Sequence, residues 1–325
     1  MSIKVLQIGL GSMGKRRIRN LQYLGFKNIV GYDIRTDRQE EANKLYEIKT
    51  VESLEQISWD DFTHLIISTP PDCHHEYIIE GISKGKHVFV EASVLDDGFD
   101  EIIALDKQSN KILAPSCTMR FHPLIAKIKS VIDKKELGDV LFFQHYFGEY
   151  LPYWHPYEDI NDFYVSNPKT AATREIVPFD YNFLSWIFGE IDICASIISK
   201  SGKLSADIND VYSIIGKTDN NIPFSFTVDV LSKKFTRQTK VICSKGNIDF
   251  DYEAQTLQLY FDETKTERVY TLKDLATTTS NEEMYVKEME AFINCSINNT
   301  RFPYTILEDY KLLQSLYKAE ANNIF

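Results

Sequence analysis

The chain has no apolar run near the ~20 residues that a bilayer span requires. Nothing at its N-terminus resembles a signal peptide. "MSIKVLQIGL" runs straight into a strand pattern, so the mature protein is expected to start there and to be cytoplasmic. Cysteine is sparse and unpatterned. Cys73, Cys117, Cys194, Cys243 and Cys295 form no CxxC spacing and read as small buried hydrophobes in a reducing compartment. No histidines stand in an HxxxH or HxH arrangement, and no metal site is expected. Positive charge is also short. A net charge of −11 argues against nucleic acid, whose phosphates demand a basic surface. It leaves room for an anionic small molecule, because charge at a site can oppose the global sign.

What is present is the composition of a soluble globular protein, 43% hydrophobic and 26% charged, in a chain of 325 residues, long enough for two domains. The first hundred or so residues alternate strand and helix. Strands are expected at 3–8, 28–33, 63–69 and 88–90, and helices at 12–24, around 37–47, and over "HEYIIEGISKG", stopped by Gly85. Apolar strands alternating with helices indicate a parallel sheet covered on both faces. The pattern changes after about Cys117. A helix over 123–135, a strand over 140–150 and a helix over roughly 178–188 precede consecutive strands at 191–199, 211–217, 222–231 and 238–244, then near 257 and 268. Strands without intervening helices imply a largely antiparallel sheet, hence an α/β chain with a second, α+β domain. The expected division is 1–118 and 119–325, with the last helix free to pack back on the first domain. Thr305 and Glu308 form a capping box for that helix.

"GLGSMG" places Gly9, Gly11 and Gly14 in G-x-G-x-x-G spacing, after a strand and at the opening of a helix. Gly9 allows the tight turn, Gly11 lets backbone approach a pyrophosphate, and Gly14 lets the helix pack on the sheet. Ser12 and Met13 belong to the same turn. Asp33 ends the next strand, 19 residues beyond Gly14, and suits both ribose hydroxyls. NAD is therefore expected, and NADP less so, although Arg35 could tolerate a 2′-phosphate. After the third strand, Thr69 and Pro70 sit where sheet and cofactor meet. His74 reads either as a ribose contact or as a helix cap.

The glycine fingerprint, "TPPDCH", "GKHVFVE", "MRFHP" at 119–123 and "WIFGEI" at 186–191 together resemble the glucose-fructose oxidoreductase / inositol dehydrogenase (Gfo/Idh/MocA) family, over nearly the whole chain. The resemblance implies an N-terminal Rossmann domain and a C-terminal α+β domain whose open sheet usually serves as the oligomer interface, so a homodimer or homotetramer is expected. It implies hydride transfer between a nicotinamide and a carbon of a sugar, amino sugar, nucleotide sugar or cyclitol. The family's strand normally ends in Glu-Lys-Pro. Glu91 matches the glutamate, but Ala92 and Ser93 replace the lysine and proline. In the family's Asp-x-x-x-His signature, Glu175 falls at the aspartate and Phe179 at the acid/base histidine. Both usual proton handlers are missing.

Two segments are candidates for a relocated site. "REIVPFDY", 174–181, gathers Arg174, Glu175, Asp180 and Tyr181 at what reads as a helix N-terminus. These residues are either ordinary helix-end electrostatics or a ligand clamp with a proton-handling group. "GEYLPYWHPYEDINDFY", 148–164, supplies Tyr150, Trp154, His155 and Tyr157, a mixture that suits sugar faces and hydroxyls. It reads equally as an aromatic loop at a subunit interface. His155 is the spare general base of the sequence. The catalytic candidates are thus His155, Glu175, Tyr181 and Glu91. Arg120, His122, Tyr150, Trp154, Tyr157, Arg174 and Asp180 are the substrate candidates, His122 being equally a helix cap. Three functions stay open: an NAD(P)-dependent sugar oxidoreductase, a non-redox sensor or partner protein, and an enzyme that retains NAD in a net non-redox reaction.

Overall fold

Strands that bury both faces need covering on both sides, and the first unit is built that way. The computed structural model describes residues 3–154, 159–275 and 281–325. β1 (Val5–Ile8), β2 (Ile29–Tyr32), β3 (Lys49–Val51), β4 (His64–Ile67), β5 (His87–Val90) and β6 (Leu113–Pro115) form one sheet in the order β3-β2-β1-β4-β5-β6. Every pairing is parallel, with Val5 beside both Ile29 and His64. The strand order reverses beside β1, so its carboxyl end opens at a topological switch point. α1 (Ser12–Tyr23), α2 (Thr36–Tyr46), α3 (His74–Ser83) and α4 (Phe99–Gln108) are the crossovers. α3 stops as expected: Gly85, at φ +68°, donates its amide to Ile82.

The second unit obeys a period of two. It comprises α5 (Pro123–Asp133), β7 (Val140–Gly148), α6 (Ala172–Phe188), then β8 (Ile191–Ser199), β9 (Val211–Thr218), β10 (Pro223–Asp229), β11 (Thr236–Cys243), β12 (Gly246–Asp251), β13 (Thr256–Phe261), β14 (Thr266–Thr271) and the short α7 (Leu272–Leu275). The sheet order is β14-β13-β12-β11-β7-β10-β9-β8, antiparallel except for β7 against β10. Phe143, Phe224 and Phe226 line its buried face, where Phe188 of α6 stacks on Phe143 at 4.1 Å. Ile197 and Ile215 point the other way and are exposed.

α6 corrects one expectation. It begins at Ala172, six residues before the expected start, and carries Pro178 inside it. A proline there removes one backbone bond, but nearly every residue from Ala172 to Leu184 is buried, and packing outweighs that local cost. α8 (Glu282–Asn298) and α9 (Ile306–Ala321) complete the chain. The capping box holds: Thr305 N donates to Glu308 Oε2 at 2.9 Å and Glu308 N to Thr305 Oγ1 at 3.3 Å. Two units result, one of residues up to Thr118 with Met284–Tyr310, the other of Met119–Glu283 with Lys311–Phe325.

Candidate functional site

In the first unit the glycine turn is shaped by exclusion. Gly9 has φ +86°, and a Cβ there would lie 2.4 Å from the Ser68 carbonyl oxygen. A Cβ on Gly14 would lie 1.9 Å from Gly9 O, so α1 rests directly on the turn. Gly11 faces open space instead: a Cβ there would meet only Arg38, at 3.5 Å. Ser12 is exposed beside it, and Met13 Sδ accepts from Arg16 at 3.3 Å. Asp33 is held by two amides, with Leu10 N donating to Oδ2 at 2.7 Å and Arg35 N to Oδ1 at 2.9 Å. The Arg35 guanidinium is bound by Asp37, at 3.0 and 2.6 Å.

At the ends of β4 and β5 several buried polar atoms have no partner in the fold. Thr69 Oγ1, His74 Nδ1 and Ser93 Oγ make no hydrogen bond, and Pro70 is exposed beside them. His74 Nε2 is engaged by Thr69 O at 3.0 Å, and burial pushes the imidazole pKa down, so the ring is neutral and carries a proton on only one nitrogen. A glycine cradle, a fixed carboxylate and orphaned donors and acceptors at the switch point are what a dinucleotide requires. The residues fit the group.

Glu91 has a different setting from the one expected of a catalytic group. Arg17, wholly buried, donates to both of its oxygens at 2.7 Å and to Glu288 Oε2 at 2.8 Å. Glu288, itself fully buried, also accepts from Cys117 N at 2.6 Å, Thr118 Oγ1 at 2.7 Å and Ser116 Oγ at 3.1 Å. Burial raises the Glu288 pKa and Arg17 opposes the rise. A buried strand ends on a charge because a buried arginine meets it there. Glu91 is thereby fixed in place, both of its oxygens accepting from the buried guanidinium.

In the second unit the candidates separate. Tyr181 is fully buried against Phe226 with its hydroxyl unpartnered, and burial raises its pKa well above the usual phenol value. Such a phenol keeps its proton in the resting fold. Arg174 is bound by Glu320, at 2.6 and 3.3 Å, and by Lys169 O at 2.7 Å, so its guanidinium ties α6 to α9. Glu175 accepts from the Tyr164 hydroxyl at 3.2 and 3.1 Å. Arg120 donates to Asn182, at 2.9 Å to its side chain and 3.2 Å to its carbonyl. Trp154 packs on an apolar cluster of Leu151, Val165, Ala172 and Val230, and Tyr150 stands edge-on to Tyr153. His155 and Tyr157 lie outside the described residues.

What the second unit does bring together is a buried polar row. His145 Nδ1 meets Thr239 Oγ1 at 2.8 Å and its Nε2 meets Asp180 Oδ2 at 2.9 Å. Arg237 Nη2 lies 3.4 Å from Asp180 Oδ1, an ion pair without an aligned hydrogen bond. The Arg237 guanidinium sits over Phe147, Phe179 and Tyr252, and His122 lies 5.2 Å from the same Tyr252 ring. Neither His122 nitrogen makes an aligned hydrogen bond, although the Asn281 side chain lies close to the ring, and Arg237 Nε makes none. Burial, then the Arg237 charge, push the His122 pKa down to about 4 against the pull of the Asn281 side chain. Asp180 is therefore not at a helix end but in the middle of α6, neutralising Arg237.

Arg17, Glu288, Arg38 and His145 had escaped sequence reasoning. The signal was present for three of them. Arg17 shares the buried face of α1 with Gly14, Ile18 and Leu21, and Glu288 stands four residues from both Met284 and Phe292. His145 falls between Phe143 and Phe147 on the buried side of β7. A charge or imidazole at an apolar period position demands a buried partner.

Two family models match the chain: an oxidoreductase family with an NAD-binding Rossmann fold over residues 3–114, and a GFO/IDH/MocA C-terminal domain over residues 125–249. A curated glucose-6-phosphate 3-dehydrogenase of Bacillus subtilis (strain 168) is 26% identical over 147 residues, which is 44% of this chain and 42% of that protein. Among solved structures, levoglucosan dehydrogenase in complex with NADH and levoglucosan superposes with a TM-score of 0.88 at 16% identity, covering 99% of this chain and 97% of that one. A UDP-N-acetylglucosamine 3-dehydrogenase from Acidithiobacillus ferrooxidans gives a TM-score of 0.81 at 14% identity, covering 99% and 98%. At these identities the likeness is one of fold. Among the described residues, no group of three or more His, Cys, Asp or Glu side chains is placed to hold a metal ion, and no helix is long and apolar enough to cross a membrane.

Proposed function

Because the chain belongs to the Gfo/Idh/MocA oxidoreductase family, with its NAD-binding Rossmann fold, we propose that it moves a hydride to or from a secondary alcohol carbon of a sugar, amino sugar or nucleotide sugar. The observation that carries the proposal is the glycine turn, where side chains at Gly9 and Gly14 would strike backbone while Gly11 is left open to a ligand. Gly9, Gly11, Ser12, Met13 and Gly14 would hold the pyrophosphate, Asp33 the ribose, and Thr69, His74 and Ser93 the groups beyond. A bound nicotinamide supplies the hydride acceptor or donor. NAD is the expected cofactor.

The protein's own part is to bind the hydroxyl, orient it and manage its proton. His122 has a neutral imidazole whose acceptor nitrogen makes no aligned hydrogen bond, beside the unpartnered Nε–H of Arg237. An alcohol can donate to the first and accept from the second. The Asp180 carboxylate, 3.4 Å from Arg237, offsets the guanidinium charge, which suits a neutral hydroxyl better than a phosphate. His155 keeps its place as an acid/base candidate by residue type. The relatives' sugar and nucleotide-sugar substrates agree with this class. A homo-oligomer through the open face that carries Ile197 and Ile215 belongs to the same proposal.

A second reading is favoured by Ala92 and Phe179, which stand where the family has its proton handlers. There the dinucleotide is retained in a sensor or in a net non-redox enzyme. The deciding experiment incubates the protein with NADH deuterated on either face and a pool of sugars and nucleotide sugars. Mass spectrometry then searches for a product one mass unit heavier. A labelled sugar supports hydride transfer. Product formed without label or NADH consumption supports the second reading.

A further inference from the structure

Asp33 is the residue by which the turn would select a dinucleotide without a 2′-phosphate, and its surroundings contain a compensating charge. Both carboxylate oxygens accept backbone amides, from Leu10 at 2.7 Å and Arg35 at 2.9 Å, so the group cannot swing away from an incoming phosphate. A 2′-phosphate carries about two negative charges at neutral pH and offers no proton to it. Alone, Asp33 would exclude such a ligand. The neighbouring cations differ in availability. Arg35 is engaged side-on by Asp37, at 3.0 and 2.6 Å. Arg38 is engaged by no hydrogen bond through its guanidinium among the described residues. Its Nη1 lies 3.7 Å from Asp33 Oδ2 and would be 3.5 Å from a Cβ on Gly11, so it spans from the carboxylate to the open part of the glycine turn. Its side chain is 31% exposed, which leaves its donors within reach of a ligand.

We propose that Arg38, and not Arg35, sets the discrimination between the two dinucleotides, so that the site accepts NADPH beside NADH. The proposal rests on the reading that this turn binds a dinucleotide. In it, Asp33 takes the ribose hydroxyls of NADH, while the Arg38 guanidinium swings to the 2′-phosphate of NADPH and offsets the fixed carboxylate. A guanidinium is suited to this, because its planar fork donates to phosphate through two nitrogens.

The test is binding by the full chain, read from nicotinamide fluorescence during separate titrations with NADH and NADPH. Wild type is expected to bind NADH more tightly than NADPH, by less than about 30-fold. Arg38→Ala is expected to weaken NADPH by about tenfold or more and NADH by less than about threefold, the effect of losing one close charge pair near a surface. Arg35→Ala should shift the ratio by less than about threefold, and Asp33→Ser should invert it in favour of NADPH. NADH binding without NADPH binding overturns the assignment alone. So does an Arg38→Ala effect equal on both ligands, or an Arg35→Ala effect on the ratio as large as that of Arg38→Ala. A wild-type chain that binds neither overturns the dinucleotide reading and this assignment with it.

Discussion

Replacing Arg17 with methionine should be among the most damaging single changes in the first unit. The guanidinium is fully buried and is the counter-charge of two carboxylates, Glu91 at 2.7 Å and Glu288 at 2.8 Å. Methionine restores most of the volume, so the cavity term is small and the electrostatic one dominates. The two carboxylates then fare differently. The Glu91 side chain is 14% exposed and recovers some hydration, whereas that of Glu288 is 0% exposed and keeps only its bonds to Cys117, Thr118 and Ser116. Stranding one buried charge costs about 3–5 kcal/mol. Glu288 already has a raised pKa from burial, and without Arg17 to oppose it the rise grows. The folded variant then binds a proton that the unfolded chain releases above about pH 4.5, so its stability falls as pH rises and returns as pH drops. Urea unfolding followed by far-UV circular dichroism should show a loss of about 3–5 kcal/mol at pH 7. Up to about 2 kcal/mol of that should be regained at pH 5.5, from one proton over 1.5 pH units. A loss below about 1 kcal/mol at pH 7 refutes the claim that Arg17 is a buried counter-ion.

Other consequences are open to direct measurement. Burial pushes the pKa of His64 down to about 3, and that of His87 and His122 down to about 4, each more than two units under the ordinary histidine value of about 6.5. The unfolded chain therefore takes up protons that the fold refuses, and Tm should fall as pH drops below about 6.5; a Tm that rises on acidification contradicts this. Tyr181→Phe removes a buried hydroxyl that has no partner, so unfolding should show a change between zero and about 1 kcal/mol of stabilisation, and a loss above 1 kcal/mol would reveal a bond to it. Gly14→Ala drives a methyl group into Gly9 O and should cost about 3 kcal/mol or more, whereas Gly11→Ala, with no atom closer than 3.5 Å, should unfold like wild type yet bind NADH about tenfold more weakly. His122→Phe should leave NADH affinity within about twofold and lower sugar turnover by about a hundredfold or more, read in the isotope assay; unchanged turnover removes His122 from the proposed chemistry.

How much of the site could be read beforehand depended on whether its chemistry is local. The dinucleotide turn was legible because Gly9, Gly11 and Gly14 act within six residues, and the need for glycine arises from contacts with the adjacent turn and with Ser68. Asp33 followed from strand length. The segment at 174–181 was misread for a matching reason. The helix was expected over roughly 178–188, which puts these residues at its N-terminus, whereas α6 begins at Ala172 and turns Asp180 and Tyr181 into its buried face. Arg174 looked like a ligand clamp until Glu320, 146 residues away in sequence, bound it.

The sequence by itself determined the alternation of strand and helix in the first half, the parallel first sheet, the alternating second sheet and the glycine turn. Each of these rests on periodicity or on steric limits acting over a few residues. The short β3 and β6 and the helices α4 and α8 were not expected. Tertiary structure alone decided which charges are at liberty. Arg17 is separated by 74 residues from Glu91 and by 271 from Glu288, and Asp180 by 35 from His145. A buried charge is tolerable only beside its partner, and that partner is found by folding in three dimensions, so no local pattern could announce it.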